Sequence, residues 1–332
     1  MNFEEDDRKS STGKDVRTKV LLTSSGRKLP MYRALNEAAA RVDRSLVAVA
    51  GDISELNPIL YAAEEFWRMP PTDSLDRSKL VSMLVERQVT LVIPSRNGEL
   101  RFWSAIRDDL LSAGIDVVIS EDESLRFCLD KFEFWSLGQE MGLPFIPTSL
   151  VEEDWRGSSL VVKERFGSGS KNLHLDVSKK EAKKIAQNLE KPIFQPYVSG
   201  EEISIDAYLD KSTKVHGLVL RKRDLVRHGE SVITTTFRNQ ELECQAREIL
   251  EALRLRGPVV MQGLITSSGL RIIEVNPRFG GASTASISVG LDSLFWVLLE
   301  HLFPNQPLPP FIRLDKEIRS VRISRDVVLD WQ

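Results

Sequence analysis

Several common classes are excluded by what this chain lacks. Its 332 residues contain two cysteines, Cys128 and Cys244, far apart and each inside a helical pattern. That argues against a disulfide framework or a thiolate zinc site, and for a reducing cytoplasm. No apolar run approaches the length of a membrane span, and the N-terminus lacks the apolar core of a secretory signal. Neither sign of charge dominates: 45 Lys plus Arg face 48 Asp plus Glu, so no broad field points to nucleic acid or to a membrane surface. The basic run Arg221-Lys222-Arg223 lacks the interleaved aromatics of a nucleic-acid groove. The Lys-Lys-Glu-Ala-Lys-Lys run at 179–184 reads as the solvated face of a helix. No internal repeat is visible.

What is present is enough apolar residue, 42%, for the cores of two or three domains. Residues 1–18 are polar and aperiodic and read as a flexible tail. From Lys19 onward, apolar strands at 20–22, 46–50, 91–93 and 117–119 alternate with helical patterns over 31–42, 78–87 and 99–113. This alternation predicts an open parallel sheet, which binds ligands beyond the carboxyl ends of its strands, here at 24–28, 51–52 and 95–99. The first of these turns, Thr-Ser-Ser-Gly-Arg-Lys, has one glycine where a dinucleotide fingerprint needs three, so a nicotinamide dehydrogenase is rejected. Arg27 in that turn either holds a substrate carboxylate or caps the following helix. Asn97 and Glu99 are further candidates to line an acceptor pocket.

Asp130-Lys131 opens or continues a helix to Met141, which Gly142-Leu143-Pro144 stops. A strand at 160–163 ends in Lys163 and precedes Gly167-Ser168-Gly169-Ser170-Lys171, whose backbone amides and lysine could surround phosphates. The loop is not a Walker A motif, since the Gly-Lys-Ser/Thr ending is absent and a strand at 173–177 follows it. Read alone, it is a plain hairpin turn, and Lys131 is an ordinary surface lysine. Further on come a helix over 180–189, the segment Phe194-Gln195-Pro196-Tyr197-Val198-Ser199-Gly200-Glu201-Glu202, and a hairpin of 203–209 with 215–220. Arg221 and Arg223 share one face at strand spacing. Helices over 240–254 and 291–303 follow, the latter with Phe295 and Trp296 as core candidates, and a terminal strand spans 317–328.

The richest stretch is 262–283, a hairpin turned by Ser267-Ser268-Gly269. Gln262 lies on its first arm; Glu274 and Asn276 share a face of the second. An all-oxygen, sparsely charged set suits a Mg²⁺ ion that takes its remaining ligands from water and nucleotide phosphates. A Glu and an Asn alternating on a strand also describe a solvated face. The residues that follow favour a site: Pro277 ends the ladder, Arg278 adds a forked cation, and Gly280-Gly281 lets backbone approach a ligand.

Taken in order, these motifs resemble the ATP-grasp superfamily, especially the carbamoyl phosphate synthase large-subunit type, whose members carry a comparable E-x-N-P-R. The resemblance covers about residues 19–310. It implies an α/β and α+β architecture: a Rossmann-like pre-ATP-grasp domain over 19–128, a small lid domain with its linker helix over 129–205, and a catalytic domain over 206–332. It further implies that Lys131 and Lys163 reach ATP phosphates beneath a loop of Gly167, Ser168, Gly169 and Ser170. The adenine edge would meet backbone at Tyr197 and Val198 and the amide of Gln195, which stands where many members have Glu; Glu202 would hold the ribose. Gln262, Glu274 and Asn276 would hold one or two Mg²⁺, for which Mn²⁺ could substitute, while Lys163, Arg223 and Arg278 face the transferred phosphoryl group. The implied activity is a cytoplasmic carboxylate-amine ligase that activates a small-molecule or amino-acid carboxylate as an acyl phosphate. Neither nucleic acid nor membrane is implied as a partner, and a homodimer is compatible. Carbamoyl phosphate synthesis itself needs two such units, and this chain has one. Glutamine at 195 and 262, positions often acidic in the family, motivates the alternative of a nucleotide-binding regulatory protein with weak or lost catalysis.

Overall fold

The architecture is that of a computed structural model describing residues 18–72, 76–157, 159–169, 171–323, 326 and 328. Apart from Thr18, the tail expected at 1–18 lies outside the described residues. The chain opens with β1 (Lys19–Leu22), α1 (Leu29–Val42), β2 (Val47–Asp52) and β3 (Phe66–Arg68). There follow α2 (Arg77–Glu86), β4 (Val89–Ile93), α3 (Asn97–Ala105), α4 (Arg107–Ser112) and β5 (Asp116–Val117). The strands are short apolar runs because helices cover the sheet. They pair in parallel in the order β3-β2-β1-β4-β5, as the alternation predicts. Two details differ. The helix expected over 99–113 breaks at Ile106, whose fully buried side chain anchors the bend between α3 and α4. The strand expected at 117–119 keeps only Asp116–Val117 in its ladder, although Val118 and Ile119 stay in the core. The three residues of β3 are too few for a periodic signal.

Next come α5 (Asp122–Leu129), α6 (Lys131–Glu140), β6 (Leu160–Glu164), β7 (His174–Val177), α7 (Lys179–Ala186) and β8 (Pro192–Pro196). Asp130 caps α6 by accepting from the amides of Phe132 and Glu133, which fixes where the helix starts. A capping box of Ser178 and Glu181 does the same for α7. The antiparallel sheet β7-β6-β8 packs a small core of Leu160, Val162, Ala182 and Phe194.

The remainder supplies β9 (Glu201–Leu209), β10 (Val215–Arg227), β11 (Glu230–Phe237), α8 (Gln240–Ala252), β12 (Gly257–Thr266) and β13 (Gly269–Asn276). After these come α9 (Ser283–Ile287), α10 (Ser293–Leu302) and β14 (Arg319–Val321). The sheet runs β13-β12-β9-β10-β11-β14. Because β9 pairs with β12 without a break from Glu201↔Ile265 to Leu209↔Gly257, the boundary expected after 205 falls inside one ladder. Likewise, α6 is joined to this larger sheet: Phe134 stacks on Phe145 at 4.1 Å, and both belong to the core of β9, β10 and β12. β11 was not foreseen from the sequence, and the terminal strand expected over 317–328 is reduced to Arg319–Val321 on the edge of β11. The first and last sheets are tied by α1 and α10, which share a core containing Met31, Leu35, Trp296 and Leu298, and by a bidentate pair of Arg41 with Asp292 at 2.9 and 2.5 Å.

Under the hairpin lies a charge pair that no solvent reaches. Arg221 on β10 donates from Nε and Nη2 to Asp206 on β9 at 2.5 and 3.1 Å, and both residues are at most 2% exposed. Thr234 accepts from Arg221, while Ser283 and Ser286 donate to Asp206 at 2.8 and 2.5 Å. Removing one partner from such a pair strands the other charge. Arg221→Met is therefore expected to lower unfolding free energy by about 3–5 kcal/mol, read by urea denaturation, and Arg221→Met/Asp206→Leu to recover part of that loss.

Candidate functional site

The three sheets face one cleft of about 1840 Å³. Every expected site residue that is described lines it: Lys131, Lys163, Gly167, Ser168, Gly169, Gln195, Tyr197, Val198, Glu202, Arg223, Gln262, Glu274, Asn276 and Arg278. Ser170 lies outside the described residues.

On the side of the small sheet, Asp130 does double duty. Besides capping α6 it forms a bidentate pair with Arg165 at 2.7 Å for each bond, so the start of α6 is clamped to the end of β6. Lys131 Nζ thereby reaches the carbonyl of Gly167 at 3.0 Å. Lys163 is buried, which pulls its ammonium down to about 8; the charge of Lys131 adds to the drop, and Glu274 opposes it. Lys131 is lowered for the same first reason, burial. The glycine loop is folded against the tip of the β10–β11 hairpin. A Cβ on Gly229, which has φ of +77°, would stand 2.7 Å from the carbonyl carbon of Gly169. Only glycine permits that approach.

The connection between the two antiparallel sheets also borders the cleft. Gln195 is buried, and its amide nitrogen donates to Thr148 Oγ1 at 2.7 Å, which leaves its oxygen as the acceptor for an amino group. The amide of Tyr197 is spent on the carbonyl of Ser159 at 3.0 Å, so the backbone contact expected of Tyr197 with an adenine edge falls to its carbonyl oxygen, beside the amide of Val198. Glu202 lies 3.0 Å from Arg223 Nε as an ion pair. That Nε is shielded from solvent, and the carboxylate beside it is not aligned as a hydrogen-bond acceptor.

At the hairpin, a register shift between Gln262 and Gly263 brings Gln262 directly opposite Glu274 across β12 and β13. Asn276 Nδ2 donates to Glu274 Oε1 at 2.9 Å. The orientation of the Gln262 amide that satisfies both its ends has nitrogen donating to Glu274 Oε1 at 2.5 Å and oxygen accepting from Arg223 Nη1 at 2.7 Å. Arg278 donates from Nε to Asn97 Oδ1 at 2.6 Å, and Asn97 in turn donates to Asn276 Oδ1. The hairpin is thus tied to the loop after β4.

That loop and the one after β1 hold the surprises. Arg27 is exposed. Its neighbour Lys28 turns inward, donating to the carbonyl and to Oγ of Ser95, the latter at 2.7 Å. Burial, then the charge of Arg278, pulls its ammonium down to about 7. Glu99 is buried with both oxygens committed, to the amides of Ser95 and Arg96 at 3.0 and 2.9 Å and to Trp103 Nε1 at 3.2 Å. It shapes the loop from the border of the cleft. Sequence spacing could not choose between Arg27 and Lys28, because the inward residue is set by how α1 leaves the turn.

A protein-family profile described as an ATP-grasp domain matches residues 128–282. The chain contains an ATP-grasp domain. Solved structures share its fold beyond that segment. The biotin carboxylase domain of Hydrogenobacter thermophilus 2-oxoglutarate carboxylase, solved with MgADP, ADP and bicarbonate, superposes with a TM-score of 0.73 over 91% of this chain and 73% of its own, at 15% identity. N5-carboxyaminoimidazole synthetase from Staphylococcus aureus with ADP gives 0.69 over 91% and 81%, at 18% identity. L-amino acid ligase from Bacillus licheniformis gives 0.64 over 86% and 74%, at 16% identity. At these identities the likeness is one of fold. Among the described residues no helix is long and apolar enough to cross a membrane.

An ATP-grasp domain implies a nucleotide-bound metal, and the donor set here fits one on a condition. Among the described residues no group of three His, Cys, Asp or Glu side chains could hold a cation alone. Glu274 is the carboxylate of the hairpin; both amides meet its Oε1, and Oε2 remains for a hard cation that brings phosphate and water ligands. The lowered lysine gives a pH test. A polyanion favours the protonated ammonium, so nucleotide affinity should fall as pH rises through about 8, by up to about tenfold per unit. Calorimetry with ADP and Mg²⁺ would read it, with Lys163→Arg flattening the profile. In the ligand-free protein the sign reverses: a lysine lowered by folding makes stability rise between about 8 and its ordinary 10.5.

Proposed function

We propose that the chain is an ATP- and Mg²⁺-dependent carboxylate-amine ligase for small molecules. The observation that supports this best is the grouping of Lys131, Lys163, Arg223 and Arg278 around one carboxylate, Glu274, in a cleft that three sheets share. In this reading the small sheet β7-β6-β8 is the lid, the first parallel sheet carries the acceptor, and the six-stranded sheet carries the chemistry.

The nucleotide lies between the lid and the large sheet, its adenine at Gln195 and Val198 and its phosphates under residues 167–169 beside Lys131 and Lys163. A carboxylate oxygen of the substrate attacks the γ-phosphorus, the bond to the β-phosphate oxygen breaks, and ADP leaves. The amine nitrogen then attacks the acyl carbon, inorganic phosphate departs, and the amine loses a proton. Lys163, Arg223 and Arg278 are positioned cations for charge that develops on the transferred group. Glu274, steadied by Gln262 and Asn276, would hold one Mg²⁺, which supplies further charge neutralisation on the phosphates. The glycine loop against Gly229 excludes water, protecting the acyl phosphate from hydrolysis.

The alternative, a nucleotide-binding regulator with lost catalysis, draws on the two amides donating to Glu274 where a metal would otherwise compete. Substrate-dependent ADP release across a panel of carboxylates, with hydroxylamine as the amine, separates the two. Release with at least one acid is expected. Nucleotide binding with no release for any acid would favour the regulator. Within an active enzyme, Glu274→Ala should reduce turnover by at least about a hundredfold. Gln262→Ala should mainly raise the Mg²⁺ concentration required, because ATP phosphates carry most of the metal binding. Equal losses at both positions would overturn the unequal roles.

A further inference from the structure

The nucleotide reading uses Lys131, Lys163 and Arg223 and leaves Lys28 without a role. Lys28 sits where the order of the first sheet reverses, between β1 and its neighbour β4, and the loops at 24–28 and 95–99, bridged by Lys28 and Ser95, border the cleft there as a crevice. Such switch points are where open parallel sheets take ligands. Three cations converge there. The ammonium of Lys28 feels Arg278 and Arg96 as like charges, and Arg96 is exposed with Nε on Ser24 Oγ at 3.4 Å.

The acids that should balance them are committed elsewhere. Glu99 is consumed by two amides and an indole, and Glu230 is paired with Arg322. Asp52 accepts from the amides of Gly26 and Ser54 and from Asn57 Nδ2. Donors remain as well. Lys28 gives two of three N–H groups to Ser95, and Arg278 gives three of five to Asn97, Phe279 and Asn276. A crevice where Lys28 and Arg278 keep spare donors, and the acids nearby are held by hydrogen bonds or ion pairs of their own, is built for an anion.

Within the one cleft, Lys28 lies at the loops after β1 and β4, whereas Lys163 lies on β6. Lys163 is coupled to Glu274, Lys131 and Glu202, whereas Lys28 is coupled to Arg278, Glu99, Glu230 and Arg96. Arg278 alone is coupled to both Glu274 and Lys28, and so stands between the two places.

Resting on the ligase reading, we propose that the acceptor is a dianion: its reacting carboxylate lies at Arg278, and a second carboxylate or a phosphate occupies the crevice on Lys28. Lys28, not Arg27, then sets specificity for charge. A purely structural Lys28, present only to fasten the loop at Ser95, would show no preference between a dianion and its half-neutral isostere.

Binding to the ADP·Mg²⁺ form, followed by thermal shift and calorimetry, tests this without turnover. The probes are succinate against succinamate for the carboxylate arm, and phosphonoacetate against its dimethyl phosphonate ester, which keeps the carboxylate, for the phosphate arm. In the wild type at least one dianion should bind about tenfold or more tighter than its isostere, and the tighter arm identifies the second group. The preference should vanish in Lys28→Met and return in Lys28→Arg, with ADP·Mg²⁺ affinity retained in both as proof of folding. Three results would overturn the proposal: no dianion preference in the wild type, the same preference in Lys28→Met, or its loss in Arg27→Met instead. Failure of the ligase reading is read separately, as ADP binding without ADP release for any acid.

Discussion

Glu274 is the fixed point of the cleft. Four cations, Lys131, Lys163, Arg223 and Arg278, each have this carboxylate among the charges acting on them. Glu274 holds these cations together, and Glu202 adds an ion pair at Arg223. Burial pulls all four below their ordinary values, so each gains from a polyanion that enters. The cluster is consequently poised for phosphate.

That poise needs a rigid support, which the buried Asp206–Arg221 pair provides from below. Through Ser283 and Ser286, Asp206 pins the start of α9, and Ser283 Oγ accepts from the amide of Gly280. The chain after Arg278 is thereby fixed relative to β9, while Asn97 fixes Arg278 to the first sheet. Two different domains of the fold therefore converge on one guanidinium. A shift of either sheet moves the cation that stands between nucleotide and acceptor.

Much of this was legible in the residues. The hairpin and its turn at Ser267-Ser268 follow from period-two alternation, whereas the facing of Gln262 and Glu274 depends on a register shift beside Gly263. Asp130 announced the start of α6 because short side-chain oxygens cap helices. β11 carries Ser-Val-Ile-Thr-Thr-Thr, whose β-branched residues favour a strand, but its alternation is short and its pairing with β10 is a tertiary contact. Glu99 borders the cleft, and nothing local reveals that its oxygens are used by Ser95, Arg96 and Trp103.

The sequence by itself determined the order of elements, the parallel first sheet, the glycine loop after Lys163 and the ligand types on the hairpin, because periodicity, capping and turn chemistry act over a few residues. Only the tertiary structure decided which charges meet. That Lys28 rather than Arg27 faces inward, that the amide of Tyr197 is already bonded to Ser159, and that Arg223 reaches Gln262 and Glu202 together all depend on segments far apart in the chain. Side-chain direction and charge balance are set by packing between sheets, and no local pattern encodes them.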